Sequence, residues 1–152
     1  MNKEKLMTYS KAQLIDMLIK EKAMPILTPS DALVPILNEL ENVKFKEVEY
    51  FLCITLDGSH KIIGTHVLSQ GTVNSAFVHP REVFRAAIMD NAVAIIIAHN
   101  HPSGSLEPSD DDKDVTRRMK QAGNIVGIKV LDHLIVGPSV QGYFSFLENR
   151  IF

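Results

Sequence analysis

The sequence contains only one cysteine, Cys53, among 152 residues. A single cysteine excludes an internal disulfide and any zinc site built from two, three or four thiolates. A metal ion in this protein would therefore be held by histidine and carboxylate side chains. Zinc deaminases are excluded on the same ground, because they need a Pro-Cys-x-x-Cys segment.

The sequence also lacks a strong charge of either sign and a long apolar run. Sixteen lysines and arginines against eighteen aspartates and glutamates give a formal net charge of −2. This balance disfavours obligate binding of nucleic acid. The longest apolar run, 92–98, is far shorter than the roughly 20 residues that cross a bilayer. No secretory signal is predicted, so we expect a cytoplasmic protein with no membrane partner.

The composition, 45% hydrophobic and 22% charged, is that of an ordinary globular protein, and 152 residues suffice for one domain with a substantial core. Residues 8–22 carry apolar side chains at helical spacing behind Ser10, and two prolines between 23 and 29 interrupt this pattern. We predict an amino-terminal helical arm over 1–27 and one domain over 28–152.

Strand patterns alternate with helix patterns along the domain. The predicted helices start after Thr28 or Ser30, at Pro80 and at Ser109, and their expected apolar faces are Leu33, Leu37 and Leu40; Val83, Phe84, Ala87 and Ile88; and Val115, Met119 and Ala122. The predicted strands are 50–56, 61–68, 92–98, 125–131, 134–136 and 143–146. Gly123 is the expected end of the last helix. This interleaving predicts an α/β fold with a mixed β-sheet sandwiched by helices.

Two histidines, His99 and His101, come directly after the apolar run 92–98. In extended backbone, residues two apart point to the same side, so His99 and His101 can direct both imidazoles to one point beyond this central strand. Asp112 lies on the apolar stripe of the next helix, at its amino-terminal end. Two imidazoles and one carboxylate suit Zn²⁺ and leave a fourth tetrahedral position open, as in catalytic sites. The pattern therefore predicts a zinc site that activates water.

Each of these residues also has a purely structural interpretation. Ser109-x-x-Asp112 resembles a helix capping box, and a capping role can coexist with a metal-binding role. Asp110, Asp111 and Asp114 suit a solvated helix start that is favoured by the helix dipole. A lone loop histidine is more often a surface residue, whereas two histidines at this spacing after a buried strand favour a metal.

Hydrolysis of an amide needs a proton carrier beside the metal as well. Glu47 and Glu49 flank the start of the first predicted strand, and the alternation of side chains allows either of them to face the site. Both also suit an exposed surface. The pattern alone does not choose between them.

The segments His99-Asn100-His101-Pro102-Ser103-Gly104 and Pro108-Ser109-x-x-Asp112 resemble the His-x-His-x₇-Ser-x-x-Asp signature of JAMM metalloproteases, the MPN-type or JAB-domain proteins, in the version found in the bacterial RadC family. Shorter matches extend the resemblance over roughly 28–152; they are Glu49-x-Phe51, Leu56-Asp57, Gly71-Thr72, Pro80-Arg81-Glu82-Val83, Ala98-His99 and Asp132-His133-Leu134-Ile135-Val136-Gly137. The resemblance implies a JAB/MPN-like fold, which is similar to the cytidine deaminase fold.

The resemblance also implies a role for each site residue. The implied zinc ligands are His99, His101 and Asp112. Glu49, rather than Glu47, would be the general acid and base, and Ser109 would stabilise the oxyanion. The implied reaction is hydrolysis of an amide or isopeptide bond in a peptide or protein substrate by zinc-activated water.

Two other functions stay open at this point. The RadC resemblance suggests a DNA-associated repair accessory protein, although the sequence shows no helix-hairpin-helix region and its charge disfavours DNA as a partner. A non-catalytic JAB scaffold, with the arm as a docking helix, is the other alternative. His133 suits either an outer partner of a zinc ligand or a structural histidine. Whether the chain forms a homo-oligomer is not encoded in any pattern that we identify.

Overall fold

The structure is a computed structural model that describes residues 25–41, 43, 47–71, 78–138 and 142–152, together with Ser10 and Gln13. Most of the predicted arm lies outside the described residues. Ser10 and Gln13 exchange hydrogen bonds of 2.8 and 3.2 Å between backbone N–H groups and side-chain oxygens, as in a capping box. The predicted boundary between 27 and 28 stays a prediction.

Between residues 25 and 152, the described part of the chain contains three helices and five strands. The helices are α1 (Pro29–Glu41), α2 (Pro80–Met89) and α3 (Asp110–Val126). The strands are β1 (Glu49–Leu56), β2 (Ile62–Gly71), β3 (Ala94–Asn100), β4 (Lys129–Val136) and β5 (Tyr143–Ser145). None of the described helices combines the length and apolar character needed to span a membrane.

The five strands form one mixed sheet in the order β2-β1-β3-β4-β5. β3 and β4 are parallel, whereas the other neighbouring pairs are antiparallel. Helix α1 packs on one face of the sheet, and α2 and α3 pack on the other. The predicted α/β fold with a mixed sheet between helices is confirmed.

Strand β3 is buried along its whole length and separates two hydrophobic cores. Ile96 and Ala98 belong to the core beneath α1, whereas Ile95 and Ile97 belong to the core beneath α2 and α3. Because side chains alternate along a strand, His99 follows Ile97 onto the α3 side. The sheet thereby directs this imidazole toward the amino terminus of α3.

Strand β3 lies two residues further along the chain than predicted. Val93 is about half exposed and precedes the strand, while polar His99 and Asn100 are inside it. The ladder continues through them because Phe51 pairs with His99, and Asn100 pairs with Val136. The change from apolar to polar residues therefore marks the start of the site and not the end of the strand.

Two predicted apolar faces are partly wrong. The buried residues of α1 are Ala32, Pro35, Ile36 and Leu40, while Leu33 and Leu37 are only partly buried. In α2, Val83, Phe84 and Ala87 are buried as predicted, but Ile88 is 61% exposed. Leu33 still packs against the core beneath α1, whereas the sheet covers a narrower stripe of α2 than the apolar pattern offers, so Ile88 faces solvent.

Gly123 does not end α3, contrary to prediction. The helix continues to Val126, and Gly127 caps it in the left-handed conformation, with φ of 76°. The chain then enters β4, which is one continuous strand where the sequence suggested 125–131 and 134–136. Gly123 is buried because the chain passes close to it: a Cβ atom there would lie 2.5 Å from the carbonyl oxygen of Ile128.

We expect Gly123→Ala to destabilise the fold by about 1–3 kcal/mol, the usual cost of overpacking. Alanine is favoured over glycine inside a helix by about 1 kcal/mol, but the clash here is with backbone and cannot be relieved by rotating a side chain. Urea unfolding measures the free energy of unfolding. Asn124→Ala, at the exposed next position, is the control and should be neutral or stabilising. A Gly123→Ala protein as stable as wild type would contradict the steric explanation.

Candidate metal centre

Four side chains with metal-binding atoms meet just beyond the carboxyl end of β3. His99 is inside the strand, His101 follows it, Asp112 is in the first turn of α3, and Glu49 begins β1. One ligand atom from each lies within 4.8 Å of those of the others. The fold therefore brings together the three predicted zinc ligands and one of the two candidate glutamates.

The separations between the donor atoms of the three predicted ligand residues fit a single small cation. The Nε2 atoms of His99 and His101 are 2.9 Å apart. The Asp112 carboxylate lies 3.2 Å from His99 Nε2 through Oδ1 and 3.4 Å from His101 Nε2 through Oδ2. Ligand atoms about 2.0–2.2 Å from a tetrahedral Zn²⁺ ion lie roughly 3.3–3.6 Å from one another. The donor set and its spacing therefore fit zinc, with the two imidazoles slightly closer than the ideal.

The proton of His101 is directed away from this point. Its Nδ1 lies 2.7 Å from the backbone carbonyl oxygen of Ser105. A carbonyl oxygen only accepts hydrogen bonds, so the neutral imidazole carries its proton on Nδ1 and a lone pair on Nε2. That lone pair points at His99 and Asp112, in the position of a metal ligand.

The electrostatics of the cluster also favour a positive charge. Burial raises the pKa of Asp112, but the adjacent imidazoles of His101 and His99 outweigh burial and hold this pKa well below its usual range. Burial lowers the pKa of His101, but the adjacent Asp112 carboxylate outweighs it, so the net shift is upward. The carboxylate is therefore kept ionised at a point where the protein favours a cation.

Glu49 is the half-buried carboxylate of the cluster. Burial raises its pKa, and the attraction of His99 and His101 only partly opposes this effect. A carboxyl group with a raised pKa is better suited to exchange protons near neutral pH. Glu47, the other candidate, is exposed on the rim of the adjoining cleft and is not in the cluster.

Ser109 caps α3 and lies beside the cluster. Its hydroxyl oxygen accepts a hydrogen bond from the Asp112 N–H at 3.1 Å, and Asp112 Oδ2 accepts one from the Ser109 N–H at 2.8 Å. The capping box and the placement of Asp112 among the histidines thus coexist. The hydroxyl proton of Ser109 is not used in the capping box, so it can be donated into the cleft.

Asn100 is a site residue that sequence reasoning missed. It lies between the two histidines, on the opposite face of β3 from His99. Its side chain accepts a hydrogen bond from the Tyr50 N–H at 2.7 Å and donates one to the Val48 carbonyl at 2.9 Å. These two bonds flank Glu49 and hold the start of β1 against β3. The available signal was its place between two histidines at the end of a buried strand.

His133 and Thr116 extend the cluster into the core. His133 Nε2 lies 2.8 Å from His99 Nδ1, and His133 Nδ1 lies 2.6 Å from the Thr116 hydroxyl. Burial, followed by electrostatic repulsion of a second proton by the neighbouring His99 imidazole, lowers the pKa of His133 well below its usual value. His133 is therefore neutral, and it contacts a predicted ligand as one of its two sequence-based interpretations anticipated. Thr116 was not anticipated.

The cluster forms one side of an open cleft of about 450 Å³. The loop between β3 and α3 supplies much of its wall; the lining residues from this loop are Pro102, Ser103, Ser105 and Glu107. Glu47 and Gly71 line it from the β1 and β2 side. The half-buried Glu49 carboxylate is therefore reached from solvent through this cleft.

The only cysteine offers no alternative nucleophile. Cys53 is buried in the middle of β1, and burial raises the pKa of its thiol to about 12. A cysteine nucleophile must instead be accessible and have a lowered pKa. Thiol-based hydrolysis is therefore not supported at this position.

Comparison with known proteins identifies the family. The RadC-like JAB domain model matches residues 26–151. Among curated relatives, a UPF0758 protein of Geotalea uraniireducens is 48% identical over 101 residues, which are 66% of this chain and 43% of that protein. A UPF0758 protein of Clostridioides difficile is 45% identical over 112 residues, which are 74% of this chain and 47% of that protein. The chain thus matches less than half the length of these relatives, and their names specify no activity. On the extent of the domain match, this chain belongs to the RadC-like JAB domain family.

Proposed function

We propose that this protein is a zinc-dependent hydrolase of the JAMM type that acts as a peptidase or isopeptidase. The observation that carries the proposal is the meeting of His99, His101, Asp112 and Glu49 within 4.8 Å at the side of an open cleft. Three ligands with one open position are typical of catalytic zinc, whereas structural zinc has four protein ligands.

His99, His101 and Asp112 would hold the ion. When bound, Zn²⁺ supplies a Lewis acid that polarises a carbonyl group and makes water more acidic. The burial of His99 and Asp112, 1% and 2% exposed, strengthens their electrostatic interactions with a cation, because little water screens them.

Glu49 would move the proton in this reaction. Its carboxylate accepts a proton from water as the oxygen attacks the carbonyl carbon, and it returns that proton to the amide nitrogen as the carbon–nitrogen bond breaks. The products are a carboxylic acid and an amine. Asn100 holds the backbone on both sides of Glu49, which keeps the carboxylate at the cluster.

Ser109 would stabilise the charge that develops on the carbonyl oxygen. Its hydroxyl borders the cleft beside Asp112, and its oxygen is fixed by the hydrogen bond from the Asp112 N–H. A donor held in place before the reaction stabilises a developing oxyanion without reorganisation at the moment of reaction.

Metal analysis of the purified protein, followed by assays on a library of peptides and isopeptides, tests the proposal. We expect about one zinc per chain and hydrolysis products detected by mass spectrometry, which are new amino termini from peptides and free lysine side chains from isopeptides. Chelation should stop the cleavage and added Zn²⁺ should restore it. Zinc binding without turnover of any library member would refute the hydrolase and favour a scaffold, while a chain that binds no metal would refute both the site and its chemistry.

The DNA-associated alternative gains no support from the cleft. The described residues that line it include Glu47, Glu49 and Glu107 but no lysine or arginine. Such a lining repels phosphate groups, which basic side chains contact in protein–DNA complexes.

A further inference from the structure

We propose that Thr116 and His133 are positioning residues that select the tautomer of His99 and so direct its Nε2 lone pair at the metal. The inference deepens the proposed function, and it depends on that function only in assigning His99 to metal binding. Neither residue touches the predicted ion or substrate. Their effect is carried through three hydrogen bonds that lead from α3 through β4 to β3.

The relay starts at a backbone carbonyl in the first turn of α3. The Thr116 hydroxyl donates to the Asp112 carbonyl oxygen at 2.7 Å, four residues earlier in the helix. A hydroxyl has one proton, and this bond uses it. Toward His133 Nδ1, 2.6 Å away, the Thr116 oxygen therefore acts as an acceptor. The proton in that contact must come from His133.

His133 donates a hydrogen bond on one side of its ring and accepts one on the other. Its ring is completely buried, stacked on Phe146 at 4.7 Å and edge-on to Phe51 at 5.8 Å. An imidazole enclosed by aromatic rings is neutral and has a single proton, which the contact with Thr116 places on Nδ1. Its Nε2 is then an acceptor, so His99 Nδ1 donates across the 2.8 Å contact. His99 is left with a lone pair on Nε2, 3.2 Å from the Asp112 carboxylate.

The tautomers of the two predicted histidine ligands are thus fixed in different ways. His101 donates directly to the Ser105 carbonyl, whose role as an acceptor cannot change. His99 donates to another imidazole, which could equally well donate in return. If His133 carried its proton on Nε2, His99 would accept at Nδ1 and would carry its own proton on Nε2, where the metal binds. The Thr116 hydroxyl prevents this reversal because its own proton is committed to Asp112.

Thr116→Val and Thr116→Ser form a matched pair that tests the relay. Valine has the shape of threonine without the hydroxyl, whereas serine keeps the hydroxyl. In the metal-free protein labelled with ¹⁵N-histidine, at a pH high enough that His99 and His101 are neutral, NMR should show His99 protonated on Nδ1 in wild type and Thr116→Ser, and a new population protonated on Nε2 in Thr116→Val. Zinc affinity should fall about 10–100-fold in Thr116→Val, the range for outer-sphere partners of zinc ligands, and stay near wild type in Thr116→Ser.

A second pair of variants at His133 covers the outcome that Thr116→Val does not fold. His133→Phe keeps a ring between Phe51 and Phe146 but has no hydrogen-bonding atoms, whereas His133→Gln retains an amide oxygen that can accept from His99 Nδ1. We expect weakened zinc binding in the first and substantial recovery in the second. A merely structural role predicts the opposite order, because phenylalanine preserves the packing better.

Unchanged His99 tautomer and unchanged zinc affinity in Thr116→Val would overturn the proposal, as would equal losses in the two His133 variants. Neither readout uses a substrate. A protein that has the relay and binds zinc but cleaves nothing would refute the proposed hydrolase and leave this inference standing. If wild type bound no zinc, the tautomers of the metal-free protein would still decide whether the relay exists.

Discussion

Replacing Glu49 by glutamine should remove hydrolysis and leave zinc bound. Glutamine has the size of glutamate but cannot accept the proton of water, and loss of a general base typically lowers kcat about 10²–10⁴-fold. The rate of peptide cleavage and the zinc content, measured on the same sample, check this expectation. Glu49 must be ionised to accept the proton of water, so wild-type activity should decline with acidification as Glu49 becomes protonated.

Glu47→Gln is the matched control for that variant. It removes the same charge from the same cleft two residues away, at an exposed position. We expect it to retain most of the activity and the acid limb of the pH profile. Equal losses in both variants would assign the effect to cleft charge in general. Loss of zinc from Glu49→Gln would instead make Glu49 a fourth ligand, which describes a closed, structural site.

Asp112→Asn should lower zinc affinity more than about 100-fold, beyond the range that outer partners of ligands usually contribute. The amide carries no charge and is a poor zinc ligand, whereas a carboxylate is a good one. The helix should survive, because the asparagine side-chain oxygen can still accept a hydrogen bond from the Ser109 N–H, as Asp112 does at 2.8 Å. Competition with a zinc indicator measures the affinity, and circular dichroism measures the helix.

Asp111→Asn removes the same charge from the neighbouring exposed position in the first turn of α3. It should leave zinc binding nearly intact. If the two variants lost equal affinity, Asp112 would act only through the field of the helix terminus, and the cluster would need another third ligand.

Local signals predicted those parts of the fold that depend on local physics. The Asp57-Gly58 turn between two β-rich segments predicted the hairpin of β1 and β2, and the continuous apolar run predicted the central strand. The true end of β3 was not predictable, because His99 and Asn100 stay in the ladder through pairing with residues far away in sequence. Gly123 was misread because a glycine that ends a helix and one that admits a close backbone contact look alike in sequence.

The residues of the candidate site also fall into those that local patterns predict and those that only tertiary contacts reveal. The spacing of His99 and His101, and the helical phase of Asp112, predicted three side chains that the structure brings together. The choice of Glu49 over Glu47 required either family resemblance or the pairing of Phe51 with His99, which sets where β1 begins beside β3. Asn100 and Thr116 act through backbone carbonyls and N–H groups, and no residue pattern identifies such partners in advance.

The capping box at the start of α3 has a consequence for the strength of metal binding. Asp112 Oδ2 accepts a hydrogen bond from the Ser109 N–H, so folding of the helix has already fixed the rotamer that faces the histidines. An ion arriving at such a preorganised pocket need not immobilise this side chain, a step that costs about 0.5–1.5 kcal/mol for a free one. The entropy of ordering this side chain is thus lost when the chain folds and not when the ion binds. The affinity for the ion is correspondingly higher.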